Sequence, residues 1–399
     1  MKPELRELHT PPGRFALVLA ALGAVLAAGL AAALYMEHHG HIVTGMDNRI
    51  VWGLPHVFAV FLIVAASGAL NTASIASVFG KAEYKPLAPL SALLAIALLV
   101  GGLAVLLLDL GRPDRLIVAM THYNFRSIFA WNVFLYTGFL ALAAAYLWTM
   151  LERRMNVHSA RVGLAAFAWR IALTTGTGSI FGFLVARHSF DSALLAPAFV
   201  VLSLSYGTAL YAVALLAGCA AGGRPVGAAL LGRLARLQAV FAAAGLYFAA
   251  VLIITNLYVA RRADFAHFVL AGGGVHTAAF WIGQVLLGGL LPIGLLLVPK
   301  APVSRGRLLT AAACVVLGGL AQMYVTIIGG QAYPLPLFPG RELHSSFMDG
   351  TVHPYTPSLP EWLLGLGGMA LAALIVAVAT RLLPLLPQRL DDAAAPAAE

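Results

Sequence analysis

Apolar residues in this chain neither alternate nor recur every third or fourth position. They run together in long stretches separated by short polar connections. Crossing about 30 Å of hydrocarbon takes ~20 apolar residues in an α-helix rising 1.5 Å per residue. Ten stretches reach that length, at 14–36, 52–79, 86–109, 127–151, 161–187, 194–219, 234–260, 277–299, 307–331 and 360–384. None has the ten-residue alternation of a β-barrel strand. The pattern predicts an all-α, polytopic transmembrane bundle of about ten helices. The first apolar run, Phe15–Met36, exceeds the roughly 7–15 residues of a signal-peptide core and is expected to remain as a span.

Composition agrees. Of 399 residues, 61% are hydrophobic and 10% charged, against roughly 25% charged in a soluble domain. The net charge of +9 does not point to nucleic acid, because the basic residues sit in short connections where they orient helices. Sixteen of the 25 lysines and arginines fall on the side that holds both termini and eight on the other, with Arg170 inside a span. That bias predicts cytoplasmic termini in a bacterial inner membrane. The opposite, periplasmic side carries most of the acids and the longest connection, 332–359, rich in Pro, Gly and aromatics. Such a loop is expected to cover a site or a partner, and the tail DDAAAPAAE is expected to be disordered. The chain divides into a first helix and connection (1–51), two helical bundles (52–190 and 191–331), and the long loop with the last helix and tail (332–399).

One stretch breaks the scarcity of charge. LDLGRPDR (108–115) and THYNFRS (121–127) gather Asp109, Arg112, Asp114, Arg115, His122, Asn124 and Arg126 at the outer ends of two apolar helices. On the same side WGLPHVF places His56 about one turn into the next span. The bland interpretation is an Asp109–Arg112 ion pair closing a helix, with the histidines in loops. The cluster as a whole favours function, because polar groups near membrane depth are costly. A quinone suits it: the ring and tail need an apolar slot, the carbonyl oxygens need donors, and reduction needs groups that titrate near neutrality.

The remaining polar residues within spans include Asn71, Gln238, Asn256, Gln284, Gln322 and the run TTGTGS (174–179), read as interhelical hydrogen-bonding groups. Arg170 lies two to three turns from the cytoplasmic end, too deep for easy snorkelling. It is the candidate for a proton path. The two cysteines form no CxxC, and only His56 among the histidines falls well inside a span. Neither an iron–sulfur cluster nor haem b is therefore expected on this chain, and no metal site is expected.

The segments WGLPHVFAVFLIVAASGAL, LDLGRPDRL and YNFRSIFAWNVFLYTGFL resemble the NrfD/PsrC (polysulfide reductase NrfD) family of integral membrane subunits. The length, the late HPYTPSLPEWLLGLGG and the terminal RLLPLLP resemble its longer branch, which includes the DsrP subunits of DsrMKJOP complexes and membrane subunits of some nickel–iron hydrogenases. The resemblance implies a menaquinone or ubiquinone site near the outer face, in the 52–190 bundle. It also implies electron exchange with a periplasmic ferredoxin-like iron–sulfur subunit (DsrO/NrfC-like), with DsrMKJ-like cytochrome and cluster subunits beyond. His56, Asp109, Arg112, His122, Asn124 and Arg126 are the matching site residues, with His56, Asp109 and His122 as the proton-handling ones. The chain would be one component of an oxidoreductase and not a complete enzyme. The competing class is a ten-helix secondary transporter or channel, disfavoured because its sites lie at the midplane between broken helices. A plain anchor for a redox partner is the third.

Overall fold

The computed structural model describes residues 5–335 and 350–391. The middle of the expected long connection and the tail expected to be disordered lie outside the described residues. Twelve helices carry the fold: α1 Pro12–His39, α2 Leu54–Ser77, α3 Ala82–Leu108, α4 Leu116–Thr121, α5 Ile128–Leu151 and α6 Ser159–Gly182, then α7 Leu195–Ala221, α8 Ala228–Tyr258, α9 Ala260–Ala271, α10 Gly274–Leu297, α11 Arg305–Ala332 and α12 Leu359–Leu382. Among the described residues, nine are long and apolar enough to cross a membrane. The remaining expected span is α6, a 24-residue helix. Its two arginines and its Thr/Gly run keep it below that apolarity, and it is packed between α5, α7 and α2. Two-residue strands β1 Leu5–Arg6 and β2 Leu386–Pro387 pair antiparallel, so both ends of the described chain meet at one end of the bundle.

The central element is α2, which touches α3, α6, α7, α11 and α12. Almost every residue of its first sixteen is buried. Between apolar helices the packing gain comes from close approach, which small residues allow. At the α2–α7 crossing a Cβ on Gly68 would stand 1.6 Å from the Ser203 carbonyl oxygen, and one on Gly207 would stand 2.1 Å from the Ala69 nitrogen. This crossing sets where the outer half of α2 sits, and with it the residues at its start.

The end of the bundle opposite the strands is held by a polar web. Gln331 accepts from the N–H groups of Val51 and Trp52, at 3.0 Å each, and donates to the Trp52 carbonyl at 2.9 Å. Arg187 donates to the carbonyls of Gln331 (2.8 Å) and Arg49 (3.0 Å). Glu361 is fully buried at the start of α12. It accepts from Gly45 N–H (2.8 Å), from Ser358 N–H (2.7 Å) and from the Tyr355 hydroxyl, which itself receives Leu54 N–H at 2.7 Å. Burial, and then the Glu361 carboxylate beside it, push the Tyr355 hydroxyl far up, so it stays a donor. Asp47 caps the turn before α2 through the N–H groups of Arg49 and Ile50 and meets His353 Nε2 at 2.5 Å. Burial opposes the charged form of Asp47. The backbone donors and His353 outweigh it and hold the carboxyl below its usual range.

Two outcomes follow from this packing. Gly68→Ala is expected to cost about 3 kcal/mol or more through forced separation of α2 and α7. Gly23→Ala, with nothing within 4 Å of the new methyl, should be neutral; thermal unfolding in detergent compares them. Glu361→Ala strands two backbone N–H groups and a buried hydroxyl, at about 3 kcal/mol, and should make the 40–53 connection cleavable by protease in the folded protein.

Candidate functional site

α2 opens after Gly53 with Pro55 in its first turn, where a missing N–H breaks no helical bond. This puts His56 in that first turn with its ring turned inward. α3 ends at Leu108, and Asp109 follows as its cap, its N–H bonded to the Val105 carbonyl at 3.0 Å. A carboxylate at a helix C-terminus faces the negative end of the helix dipole, so nothing in α3 favours it there. Its side chain instead reaches the first turn of α2, where His56 Nδ1 stands 2.6 Å from Asp109 Oδ2. The third group comes from the turn after α1. Gly40, with φ +75°, reverses the chain into a short turn, His41–Val43. His41 Nε2 lies 3.0 Å from the Asp109 carbonyl oxygen and 3.9 Å from its Oδ1.

Burial grades across these three. The Asp109 side chain is 1% exposed, His56 16% and His41 28%. The imidazole contact with Oδ2 is short but off the line of the ring N–H. Both carboxylate oxygens and His56 Nδ1 are thus buried without an aligned hydrogen bond. A buried carboxylate that lacks aligned donors has unused capacity to accept a proton or a ligand donor.

Beside this pair lies a cavity of about 710 Å³, walled by α2, α3, α4, α5 and α6. The volume falls in the ~300–1,000 Å³ range of small-molecule sites. Its walls are chiefly Leu, Ile, Val and aromatic side chains, with Trp52, Phe129 and Phe181 at the His56 end. Trp52 stacks on His56 with centroids 6.1 Å apart and meets Phe181 edge-on at 5.8 Å. Polar atoms enter at few points: His56, Arg112 and Arg115 towards the mouth, and Asn132, Tyr136 and Thr177 on the α5–α6 wall. Asn132 donates to the carbonyls of Ile128 (2.9 Å) and Gly176 (3.2 Å), which locks its orientation.

The structure therefore brings together His56 and Asp109, with Arg112 at the cavity. Arg112 does not pair with Asp109. It forms a two-pronged contact with Asp114, at 3.0 and 2.9 Å, which raises the guanidinium and lowers the carboxyl. His122, Asn124 and Arg126 lie on the exposed segment between α4 and α5 and do not line the cavity. His122 meets the Thr121 hydroxyl at 3.0 Å, and Asn124 accepts the Arg126 N–H at 3.0 Å, closing the turn into α5. His41, Trp52, Asn132 and Tyr136 were not singled out from sequence, whereas Thr177 belongs to the TTGTGS run read as interhelical hydrogen-bonding groups. Of those four, Asn132 alone carried a signal, as an amide within an apolar span.

Deeper in the bundle Arg170 is buried. It donates to Asn71 Oδ1 (3.2 Å) and the Ser67 carbonyl (3.4 Å) and lies over the Phe167 ring at 4.9 Å. Among the described residues no carboxylate pairs with it. Thr174 and Thr177 follow at four and seven positions along α6 on the same face, so a polar stripe runs from Arg170 to the cavity wall. Among the described residues no three His, Cys, Asp or Glu side chains are grouped to hold a metal ion.

Known proteins agree in class. The chain is 30% identical over 378 residues, 94% of each chain, to the Hdr-like menaquinol oxidoreductase integral membrane subunit of Archaeoglobus fulgidus. It is 24% identical over 384 residues, 86% of this chain and 88% of the relative, to a selenate reductase subunit of Mesobacillus selenatarsenatis. Residues 42–334 match the family model described as polysulphide reductase, NrfD, a span that contains every helix lining the cavity, so the chain belongs to the NrfD family of multi-pass membrane subunits of oxidoreductase complexes.

Proposed function

We propose that this subunit binds a quinone in the 710 Å³ cavity and exchanges protons with it through His56 and Asp109, while electrons pass to or from a partner's iron–sulfur clusters. The observation that carries the proposal is the His56–Asp109 contact at the cavity wall, with both carboxylate oxygens lacking aligned donors. The fit to a quinone is chemical. The ring and isoprenoid tail need a long apolar slot, and the cavity is one. A carbonyl or hydroxyl oxygen needs one group that both donates and accepts, and the imidazole of His56 does both. With Nδ1 turned to Asp109, the Nε2 edge is the one free to meet the ligand. Trp52, stacked on His56, fixes the ring plane and presents an aromatic face to a flat ligand.

The end of the bundle that carries Asp109 would face the periplasm, with the iron–sulfur partner docked there. The exposed segment with His122, Asn124 and Arg126 fits the rim of that interface better than the proton-handling site. The relative named as a menaquinol oxidoreductase subunit supports menaquinone as the carrier. The proposal also takes the chain as a member of the longer DsrP-like branch with its sulfur-metabolism partners, a reading supported by the helices that flank the matched region.

In the purified complex, Asp109→Asn and His56→Ala are expected to slow cluster reduction by a quinol analogue about 100-fold, the scale of general acid–base catalysis. His122→Ala should change it less than about threefold, since it removes no group from the cavity wall. Stopped-flow absorbance of the clusters reads both. Wild-type rates in Asp109→Asn would end the proposal.

Arg170 is proposed to act in a proton path along the polar stripe of α6. An arginine keeps its charge at all working pH, so its part is to hold and repel protons electrostatically rather than relay them. Arg170→Leu is expected to leave quinol oxidation within about threefold while lowering the protons moved per electron in reconstituted vesicles, the coupling expected of intramembrane charges. An unchanged ratio would remove Arg170 from the path.

A further inference from the structure

We propose that His41 is the proton exit of this site, the outermost member of a His56–Asp109–His41 relay that opens onto the solvent at the end of α1. The inference rests on the quinone proposal above. Three observations carry it. First, the members lie in order, with His56 Nδ1 2.6 Å from Asp109 Oδ2 and His41 Nε2 3.9 Å from Asp109 Oδ1 while hydrogen-bonded to the Asp109 carbonyl at 3.0 Å. Second, exposure changes along the series from a buried carboxylate to a partly exposed imidazole, so a proton moving outward ends at water. Third, His41 follows Glu37, His38 and His39, all exposed. This places a run of exposed side chains able to donate and accept hydrogen bonds at the mouth, in contact with solvent.

In the oxidising direction the balance is as follows. Two O–H bonds of the quinol break in turn. For each, one electron goes to an oxidised iron–sulfur cluster of the partner and one proton goes to His56 Nε2. His56 releases its Nδ1 proton to Asp109 Oδ2. The carboxylic acid turns its O–H towards His41 and delivers that proton to the bare Nε2 of the His41 tautomer protonated on Nδ1. His41 releases its Nδ1 proton to water, and tautomer exchange of both imidazoles resets the relay for the second proton. The products are quinone, two electrons on the partner and two protons outside. Reduction runs the same steps backwards. A tilt of about 1 Å brings Nε2 from the Asp109 carbonyl to hydrogen-bond distance of Oδ1. Once protonated, Nε2–H has that carbonyl to donate to, at the 3.0 Å seen.

Other charged groups on the surrounding elements are Glu37, His38 and His39 of α1, Asp47 and Arg49 of the connection, Arg112, Asp114 and Arg115 after α3, and Glu361 of α12. Among the described residues none forms an ion pair with His41 or Asp109. Asp47 is engaged with His353, Arg112 with Asp114, and Glu361 with its own donors. His41 is thus the one titratable route from Asp109 outward in this set.

The test uses the whole complex and a menaquinol analogue. His41→Gln keeps an N–H for the Asp109 carbonyl but cannot carry a proton; His41→Ala keeps neither. Both variants are expected to slow cluster reduction about 10-fold with unchanged affinity for a quinone-site inhibitor. The limb on which the wild-type rate falls as pH drops and imidazole becomes protonated should move. Imidazole added to His41→Ala should restore the rate in proportion to its concentration. Wild-type speed in His41→Gln would assign His41 a purely structural hydrogen bond and overturn the relay, as would slow variants that imidazole does not rescue. A wild-type complex that binds no inhibitor and passes no electrons from quinol would overturn the quinone proposal and the relay together.

Discussion

A carboxylate taken out of water must be matched by donors or by a proton, because its desolvation costs several kcal/mol. Among the described residues two carboxylates, Asp109 and Glu361, are buried, and the structure treats them oppositely. Glu361 sits in the first turn of α12, the favourable end of a helix dipole, and two backbone N–H groups and a phenol saturate it. It is a fixed anion that ties the 40–53 connection to α12. Asp109 sits at the wrong end of α3 for its charge, and among the described residues two imidazoles approach its carboxyl. A site built for stability would resemble the first. The second leaves both carboxylate oxygens buried without an aligned donor.

The architecture explains how such an arrangement persists. Close packing of α2 against α7 fixes the start of α2 to within the tolerance of a missing methyl group, and Gln331 and Arg187 clamp the backbone just before it. His56 and Trp52 are therefore delivered to the cavity by rigid elements. Asp109 comes from a helix end and His41 from a turn, both stabilised by contacts that do not involve the carboxyl. Removing the charge would then leave the scaffold standing, which is what separates a functional ion from a structural one.

Much of this was readable from the order of residues. The span expected at 127–151 is α5, Ile128–Leu151, because a twenty-residue apolar run in lipid has only one way to satisfy its backbone. Asp109 stood out as a candidate because charge is rare in such a chain, and the structure sets it beside His56 at a cavity. What could not be read was adjacency. His41 and Asp109 are 68 residues apart and meet only because α1 ends beside α3. Conversely, the density of polar residues in THYNFRS suggested a shared pocket, yet His122, Asn124 and Arg126 lie along an exposed segment whose hydrogen bonds are local. Proximity in sequence overestimated proximity in space. α6 was expected as a span marked by Arg170 and a Thr/Gly run, and it is a 24-residue helix less apolar than the others.

The matched family region begins at residue 42 and ends at 334, which leaves His41 immediately before it and Glu361 well beyond its end. Both belong to the flanking helices α1 and α12, which pack closely against each other. The bundle within the matched region supplies the cavity, the imidazole and the carboxyl. The flanking pair supplies the anion that holds the connection over the site and the imidazole that meets Asp109 from outside. A cavity with a buried acid could accept a proton from a ligand without them, but the acid would have to wait for solvent to reach it. In the proposed relay, a fixed Glu361 closes the end of the bundle and His41 meets Asp109. This would separate sealing from proton passage and give each task to a different residue outside the matched region.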